Sequence, residues 1–163
     1  LGGASFFPHA TFILTKEVYE VYQKPKLKDL IFKEFLPASF EKNLTIIRAD
    51  QQVSTFPYRP ICDLFGDGSI LVSSVDGHAR GQACLYFPDL NLLIAADLCW
   101  GIDLLPYTKQ MHLLPSLVQD NKTDYIRGTE FLEEVLKAGI EVVVSHDPVE
   151  RIESILHEKN NLS

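Results

Sequence analysis

Apolar residues along the chain follow two spacings, an alternation typical of strands and a recurrence every three to four residues typical of helices. The alternating runs predict strands at 10–14, 44–48, 61–65, 69–75, 82–87, 92–96 and 140–145. The helical runs predict a helix capped by Thr15 that extends through Tyr22, and further helices at 26–35, 124–138 and 149–157. The run 107–118 stays unassigned because Pro115 interrupts it. The pattern predicts an α/β fold in α+β layers, with an antiparallel-rich sheet flanked by helices, in a single domain over 1–163.

The composition and charge of the chain argue against several classes of partner. The 163 residues are 46% hydrophobic, enough for a core, and 15 basic against 22 acidic residues give a net charge of −7. An acidic chain offers no general field for phosphates, so no nucleic-acid partner is expected. No apolar run approaches the roughly 18 residues of a membrane span, so no membrane partner is expected either. The three cysteines are an odd number without C-x-x-C spacing, which favours a reducing, cytoplasmic location.

Three segments share one construction, an apolar strand that runs into a polar residue able to bind a metal. They are ILVSSVDGH, which ends at His78, LLIAAD, which ends at Asp97, and EVVVSHD, which reaches His146. A strand buried by its apolar side chains fixes its last residue, and strand ends that lie side by side share one crevice. Imidazole and carboxylate are ligands of zinc and iron. The three segments therefore predict a metal site.

Each of these residues also has an ordinary structural explanation. A single histidine at a strand end is often a hydrogen-bonded turn residue, and Asp97 could cap the loop that follows it. Asp147 and Pro148, beside His146, are a common signal for the start of a helix. The metal site therefore rests on the three segments together, and on no one of them alone.

The same segments resemble the motifs of the metallo-β-lactamase superfamily, in the order in which that superfamily has them. DGHARGQ (76–82) resembles its G-H-[TS]-x-G segment, LLIAAD (92–97) resembles the strand that ends in a metal-bridging Asp, and VVSHDP (143–148) resembles the strand that delivers its last His. Within the superfamily, the resemblance is to the N-acyl homoserine lactonase branch. It covers essentially the whole chain.

The resemblance implies an αββα sandwich and hydrolysis of a lactone, ester, thioester or phosphoester by a metal-activated water. It implies two zinc ions, or iron or manganese in their place, with His78 on one ion and His146 on the other. Asp97 would join both ions and is the expected catalytic residue. Trp100 and Tyr107 are expected to form a wall for a small-molecule substrate, with core packing as the open alternative.

The chain departs from the family pattern at three places. Arg80 stands where the G-H-T-P-G segment has Pro, and Trp100 stands where the lactonases have Tyr. The signature H-x-H-x-D-H is not found, and the opening residues LGGASFFP resemble those that follow it. The chain is therefore expected to be the C-terminal part of the domain. It is expected to bind no stoichiometric metal pair without the upstream ligands, since a catalytic zinc needs three protein ligands.

Two other functions remain open from the sequence. The chain could be a non-catalytic interaction module, in which an exposed sheet face drives a homodimer or pairs with the missing N-terminal half. A mononuclear oxygenase with two His and one carboxylate has the right ligand types. Such a site usually lies in a cupin-like barrel, and the predicted helices argue against that fold. Under the hydrolase interpretation, Phe65 is a further expected wall residue for an apolar substrate, with core packing again as the open alternative.

Overall fold

A computed structural model describes residues 3–26, 29, 31–108 and 122–160. The elements in these ranges alternate between short strands and helices along the chain. They are β1 (Phe12–Thr15), α1 (Lys16–Gln23), β2 (Leu44–Ile47), β3 (Gln51–Val53), β4 (Phe56–Asp63), β5 (Leu71–Val75), β6 (Gln82–Phe87), β7 (Leu92–Ile94), α2 (Leu105–Thr108), α3 (Lys122–Lys137), β8 (Glu141–Val143) and α4 (Val149–Asn160). The α/β class predicted from the sequence is confirmed.

A six-stranded sheet forms the centre of the fold, with the strands in the order β3-β4-β5-β6-β7-β8. Neighbours are antiparallel up to β7, and β7 pairs with β8 in parallel because the chain returns through α3. The strands β5, β7 and β8 therefore run in one direction and end at one edge of the sheet, here called the carboxyl edge. A separate parallel pair joins β1 to β2.

The main core lies between one face of the six-stranded sheet and α3. Alternate residues of each strand point to this face, as the period of a strand requires. The sheet contributes Leu71, Val75, Cys84, Tyr86, Leu93 and Val142, and the helix contributes Phe131, Leu132 and Val135. Gly139 ends the helix with a positive φ of 79°. The helix predicted at 124–138 and its buried side are thus confirmed.

The opposite face of the six-stranded sheet is mostly apolar, and the described part of the chain covers it only in part. Register and alternation assign it Cys62, Val72, Ala83, Leu85, Phe87, Leu92, Ile94 and Val143, here called the second face, together with the polar residues Ser74 and Glu141. Val72 and Leu92 are buried, most of the others are half-buried, and Ile94 is exposed. An aliphatic sheet face with this exposure can still bury area against another surface.

The N-terminal layer, formed by β1, β2 and α1, is held by aromatic contacts and a cap. The Phe40 ring lies 4.8 Å from Phe12 and 5.4 Å from Tyr22, measured between centroids. The Tyr22 hydroxyl donates to Glu41 at 2.8 Å. Thr15 caps α1, as the sequence predicts, because its hydroxyl oxygen accepts from the N–H of Val18.

The predicted helix at 26–35 is wrong for the residues that the structure describes. Ile31 and Phe32 are not helical, and a single 3-10 turn covers Lys33–Phe35. Phe32 and Phe35 remain exposed, so these two described residues give a helix no buried apolar side. Leu27 and Leu30, which the prediction also used, lie outside the described residues, as do residues 109–118 of the unassigned run.

Strand β4 begins earlier than the sequence pattern indicates, and β3 precedes it. The run FPYRP (56–60) contains two prolines, which lack the N–H that a sheet ladder needs. The pairing of β3 with β4 shifts register between Gln51 and Val53, which accommodates this irregular stretch.

No helix in the described part of the chain is long and apolar enough to cross a membrane. Each of the three cysteines is outside any disulfide.

Candidate functional site

Asp97 and His146 lie side by side at the carboxyl edge. The parallel register continues past both strands, because the N–H of Ala95 donates to the Val143 carbonyl and the N–H of Ser145 donates to the Ala96 carbonyl, each at 2.8 Å. Nε2 of His146 is 3.5 Å from Oδ1 of Asp97. Adjacent parallel strands thus place an imidazole and a carboxylate together, as the sequence predicts for this pair.

The turn at Ala96 is strained. Its φ is +46°, in the left-handed region that residues with a Cβ rarely occupy. The Ala95 carbonyl accepts from the Gln82 side chain at 3.1 Å and from the N–H of Leu98 at 3.2 Å. Backbone strain of this kind persists where surrounding bonds fix the chain, and it is common at functional sites. These bonds fix the backbone from which Asp97 projects.

The Trp100 indole stacks on the imidazole of His146. The ring centroids are 5.0 Å apart, and the planes meet at 21°. The His146 and Asp97 side chains are 48% and 39% exposed, so the pair is open to solvent. Trp100 is also exposed. The stack orients the imidazole while leaving the pair accessible to a ligand.

A buried carboxylate, Asp147, connects the segments around this pair. Its Oδ1 accepts from the N–H of Ile102, and its Oδ2 accepts from the N–H of Val144, each at 3.0 Å. The Arg151 guanidinium donates to Oδ2 at 2.6 Å. The sequence predicts Asp147 as part of a helix-start signal, and α4 does begin two residues later. The sequence pattern does not predict the two bonds that Asp147 accepts from Ile102 and Val144, both of which lie outside α4.

Buried groups beneath the pair have altered acidity. Burial raises the pKa of the Cys99 thiol to about 11, with Asp147 adding to the increase. Burial raises the pKa of Tyr125 to about 12, and Cys99 adds to it. The Tyr125 hydroxyl is buried without a hydrogen-bond partner. Burial therefore favours the neutral form of both groups.

His78 lies in the loop 76–81, which follows β5. The carboxylate of Asp76 closes the loop by accepting from the N–H of Gly81 at 2.6 Å. The Thr15 hydroxyl donates to the Gly81 carbonyl at 2.6 Å, and Arg80 contacts Glu20 at 2.7 Å. The loop is thus tied to α1 rather than to the ends of β7 and β8.

Gly77 sets the path of that loop. Its φ is +147°, and a Cβ at this position would lie 2.9 Å from Cα of Tyr125. The sequence predicts that a glycine lets the backbone turn before His78, and the close approach to α3 adds a second reason for it. Because β6 lies between β5 and β7, His78 follows a strand two positions away from the one before Asp97.

The fit of a metal can be tested on these donors. Asp97 and His146 have the chemistry of zinc ligands and already converge. Across 3–26, 29, 31–108 and 122–160, no three His, Cys, Asp or Glu side chains form a group able to hold an ion. Asp97 and His146 therefore fit as part of a donor set, and the role of His78 as a third ligand stays a prediction.

The predicted wall residues have different positions. Trp100 contacts His146 directly. Tyr107 lies on α2 with 67% of its surface exposed, and its role as a wall stays a prediction. Phe65 is in the turn that precedes β5. That turn lies at the opposite end of β5 from the carboxyl edge, so the expectation that Phe65 lines this site is wrong.

Comparison with known proteins gives structural matches. No family model matches the chain, and no curated protein matches it. A quorum-quenching N-acyl homoserine lactone lactonase matches with a TM-score of 0.55 and 17% identity, over 87% of this chain and 50% of the lactonase. An N-acyl homoserine lactone hydrolase with N-hexanoyl-L-homoserine at its catalytic metal center matches at 0.55 and 16%, over 87% and 48%. So does an AiiA variant of B. thuringiensis with N-decanoyl-L-homoserine bound at the active site.

These lactonases have the metallo-β-lactamase fold, and this chain shares that fold. The resemblance drawn from the three sequence motifs is thereby confirmed at the level of the fold. The chain spans about half the length of the structures that it matches.

Proposed function

We propose that the protein is a metal-dependent hydrolase to which this chain contributes the carboxyl-edge ligands. The observation that carries the proposal is the convergence of Asp97 and His146 at 3.5 Å, on adjacent parallel strands and open to solvent. The shared fold with lactone hydrolases supports the same reaction class. A carboxylate and an imidazole beside each other at an accessible edge are a common arrangement for holding an ion.

Asp97 and His146 would hold the metal, zinc first and iron or manganese as alternatives. A bound ion of this kind supplies a water of lowered pKa as a nucleophile near neutral pH. Asp97 contributes a carboxylate that two ions can share, and His146 contributes one imidazole nitrogen. His78 is proposed as the imidazole for the other ion. Because a catalytic zinc needs three protein ligands, the proposal requires further donors besides these.

The residues around the pair orient it for this role. Trp100 fixes the plane of the His146 ring, and the positive φ of Ala96 fixes the start of the Asp97 turn. Preorganised ligands of this kind lose little conformational freedom when they bind an ion.

The proposed substrate is a small molecule with a lactone, ester, thioester or phosphoester bond. The matched structures act on N-acyl homoserine lactones, which makes that lactone the first substrate to test. Trp100 and Tyr107 are proposed as apolar contacts for such a substrate. A cytoplasmic location is proposed from the free cysteines.

The test is a hydrolysis panel in the presence of zinc, iron or manganese. It uses this chain and a longer protein that includes coding sequence upstream of Leu1, each with an N-acyl homoserine lactone, an aryl ester, a thioester and a phosphodiester. We expect no turnover by this chain alone, and metal-dependent turnover by the longer protein that is lost in its Asp97→Ala variant. Turnover that is unaffected by chelation, or retained in full by Asp97→Ala, would contradict the proposal.

A second candidate function is a non-catalytic interaction module. The observation that favours it is the second face, where Leu85 and Phe87 are half-buried and Ile94 is 38% exposed. Light scattering with gel filtration tests it, using Ile94→Glu and the control Leu156→Glu, which changes a residue that is 47% exposed on α4. Association that only Ile94→Glu abolishes would support the module. A monomer at all concentrations would exclude self-association through this face.

A further inference from the structure

We propose that Asp147 is a positioning residue that sets the distance between the two segments carrying Trp100 and His146. The inference rests on the proposed function, because His146 is there a metal ligand. Asp147 contacts neither ring. Its carboxylate bonds to backbone positions two residues from each of them, Ile102 on one side and Val144 on the other.

The two backbone bonds come from different parts of the sheet edge. Ile102 belongs to the segment after β7, and Val144 directly follows β8. Each oxygen of the Asp147 carboxylate accepts from one of the two segments. The distance between these two oxygens therefore sets the distance between the segments. Ile102 packs against the main core and is partly buried, whereas Trp100 and Leu104 on either side of it are exposed, so the bond to Asp147 adds a polar contact that holds this segment next to β8.

The third bond fixes the carboxylate itself. Arg151 is one helical turn further along α4, and its guanidinium reaches Oδ2 at 2.6 Å. The Asp147 side chain is 1% exposed and that of Arg151 is 22% exposed, so the pair is largely removed from solvent. A buried carboxylate is stable when charged and backbone donors satisfy its oxygens, as they do here. Asp147 thus links β8, α4 and the segment that carries Trp100.

Gly101 has a backbone conformation that suits this arrangement. Its φ of +138° is one that other residues rarely adopt, and a Cβ placed there would lie 4.0 Å from Oδ1 of Asp147, which is an ordinary contact distance. The chain therefore passes close to the carboxylate between Trp100 and Ile102. Loss of the carboxylate should release both segments and separate the indole from the imidazole.

The test uses the fact that Trp100 is the sole tryptophan of the chain. Its indole N–H gives a single resonance in a ¹⁵N–¹H correlation spectrum, and the ring of His146 above it shifts that resonance. Spectra of the metal-free chain are compared for wild type, His146→Ala, Asp147→Asn and Arg151→Met. The matched control is Glu20→Gln, which removes the ion pair between α1 and Arg80.

We expect Asp147→Asn to move the indole resonance in the same direction as His146→Ala and by a comparable amount. Arg151→Met should move it less, because the two backbone bonds remain, and Glu20→Gln should leave it in place. An unmoved resonance in His146→Ala, or in a folded Asp147→Asn, would overturn the proposal. If Asp147→Asn does not fold, Asp147→Glu decides, because its longer side chain changes the separation that the carboxylate sets, and a wild-type indole resonance in that variant would also overturn the proposal.

The readout is independent of the proposed function. It needs neither metal nor substrate, so a failure to hydrolyse any ester would leave the spectral result intact. Conversely, an active hydrolase whose Asp147→Asn variant keeps the wild-type indole resonance would retain the proposed function and lose the role of Asp147.

Discussion

Two loops at the carboxyl edge carry ligand-type residues, and they are fixed in different ways. Asp97 and His146 follow adjacent parallel strands, and backbone bonds between the two segments bring them to 3.5 Å. His78 follows β5 at the same edge, but β6 separates it from β7. The 76–81 loop closes on itself through Asp76 and docks on α1 through Thr15.

The difference shows that ending at the same edge of a sheet is not enough to join two ligands. Neighbouring strands are about 5 Å apart, so adjacent ends meet, whereas ends two strands apart are separated by about 10 Å. A short turn after each strand is enough to bring Asp97 and His146 together. His78 would have to extend across β6 to reach them.

The largest expected effect is on hydrolysis by the protein that holds all of the ligands. Asp97→Ala should lower turnover by at least about 100-fold, and by more than His78→Ala or His146→Ala, because a carboxylate can join two ions. Steady-state rates with the best substrate of the panel measure this. Equal residual turnover in the three variants would count against a shared role for Asp97.

Gly77→Ala should destabilise the fold through the 76–81 loop. The added Cβ would meet the backbone of Tyr125, and the φ of +147° is unfavourable, so we expect a loss of about 3 kcal/mol in the free energy of unfolding. Gly139→Ala is the control. Its φ is also positive but nothing lies within 4 Å, so about 1 kcal/mol is expected. Urea titration compares them, and equal losses would remove the argument from close packing.

Alkaline pH should weaken the region beneath Asp97 and His146. The folded-state pKa of Cys99 is raised from 9.0 to about 11, and that of Tyr125 from 10.0 to about 12. Raised values mean that the stabilisation is complete below pH 9 and is lost as the pH rises toward 12, by at most about 1.4 kcal/mol per pH unit for each group. Urea midpoints from pH 8 to 11.5 measure the loss.

Tyr125→Phe is the matched variant for this pH dependence. Its hydroxyl has no hydrogen-bond partner, so removing it should raise stability at pH 8 by about 1 kcal/mol and reduce the alkaline loss above pH 10. An unchanged alkaline loss would assign the effect to other groups.

The smallest expected effect comes from the ion pair between Arg80, in the 76–81 loop, and Glu20 of α1. The Arg80 and Glu20 side chains are 50% and 43% exposed, so Glu20→Gln should cost about 0.5 kcal/mol or less. Its effect should shrink further in 1 M NaCl. A larger loss in the urea midpoint would mean that this ion pair fixes the loop more strongly than its exposure indicates.

The strands and ligands that the sequence predicts best are those with uninterrupted local patterns. The predicted strand 82–87 coincides with β6, and the apolar runs before Asp97 and His146 indicate the two residues that meet. The first part of β4 was missed because Pro57 and Pro60 break the strand pattern. The helix predicted over 26–35 was wrong for the described residues, where Phe32 and Phe35 are exposed, and spacing alone cannot show whether an apolar residue is buried.

The connections around the site depend on contacts between distant residues. Asp147 follows His146 in sequence, but its bond to Ile102 spans 45 positions. The ion pair between Asp147 and Arg151 could have been predicted, because the two residues are four positions apart at the start of a predicted helix. The bond from Thr15 to Gly81 spans 66 positions, and no local pattern indicates it.

Metal content measures the central claim most directly, namely that Asp97 and His146 are two ligands of an incomplete metal centre. The 163-residue chain and the longer protein, each with its Asp97→Ala variant, are dialysed and analysed for zinc, iron and manganese. The account predicts no stoichiometric metal pair in the chain alone, two ions in the longer protein, and their loss in its Asp97→Ala variant. Two tightly held ions in the chain alone, or unchanged metal in that variant, would contradict it.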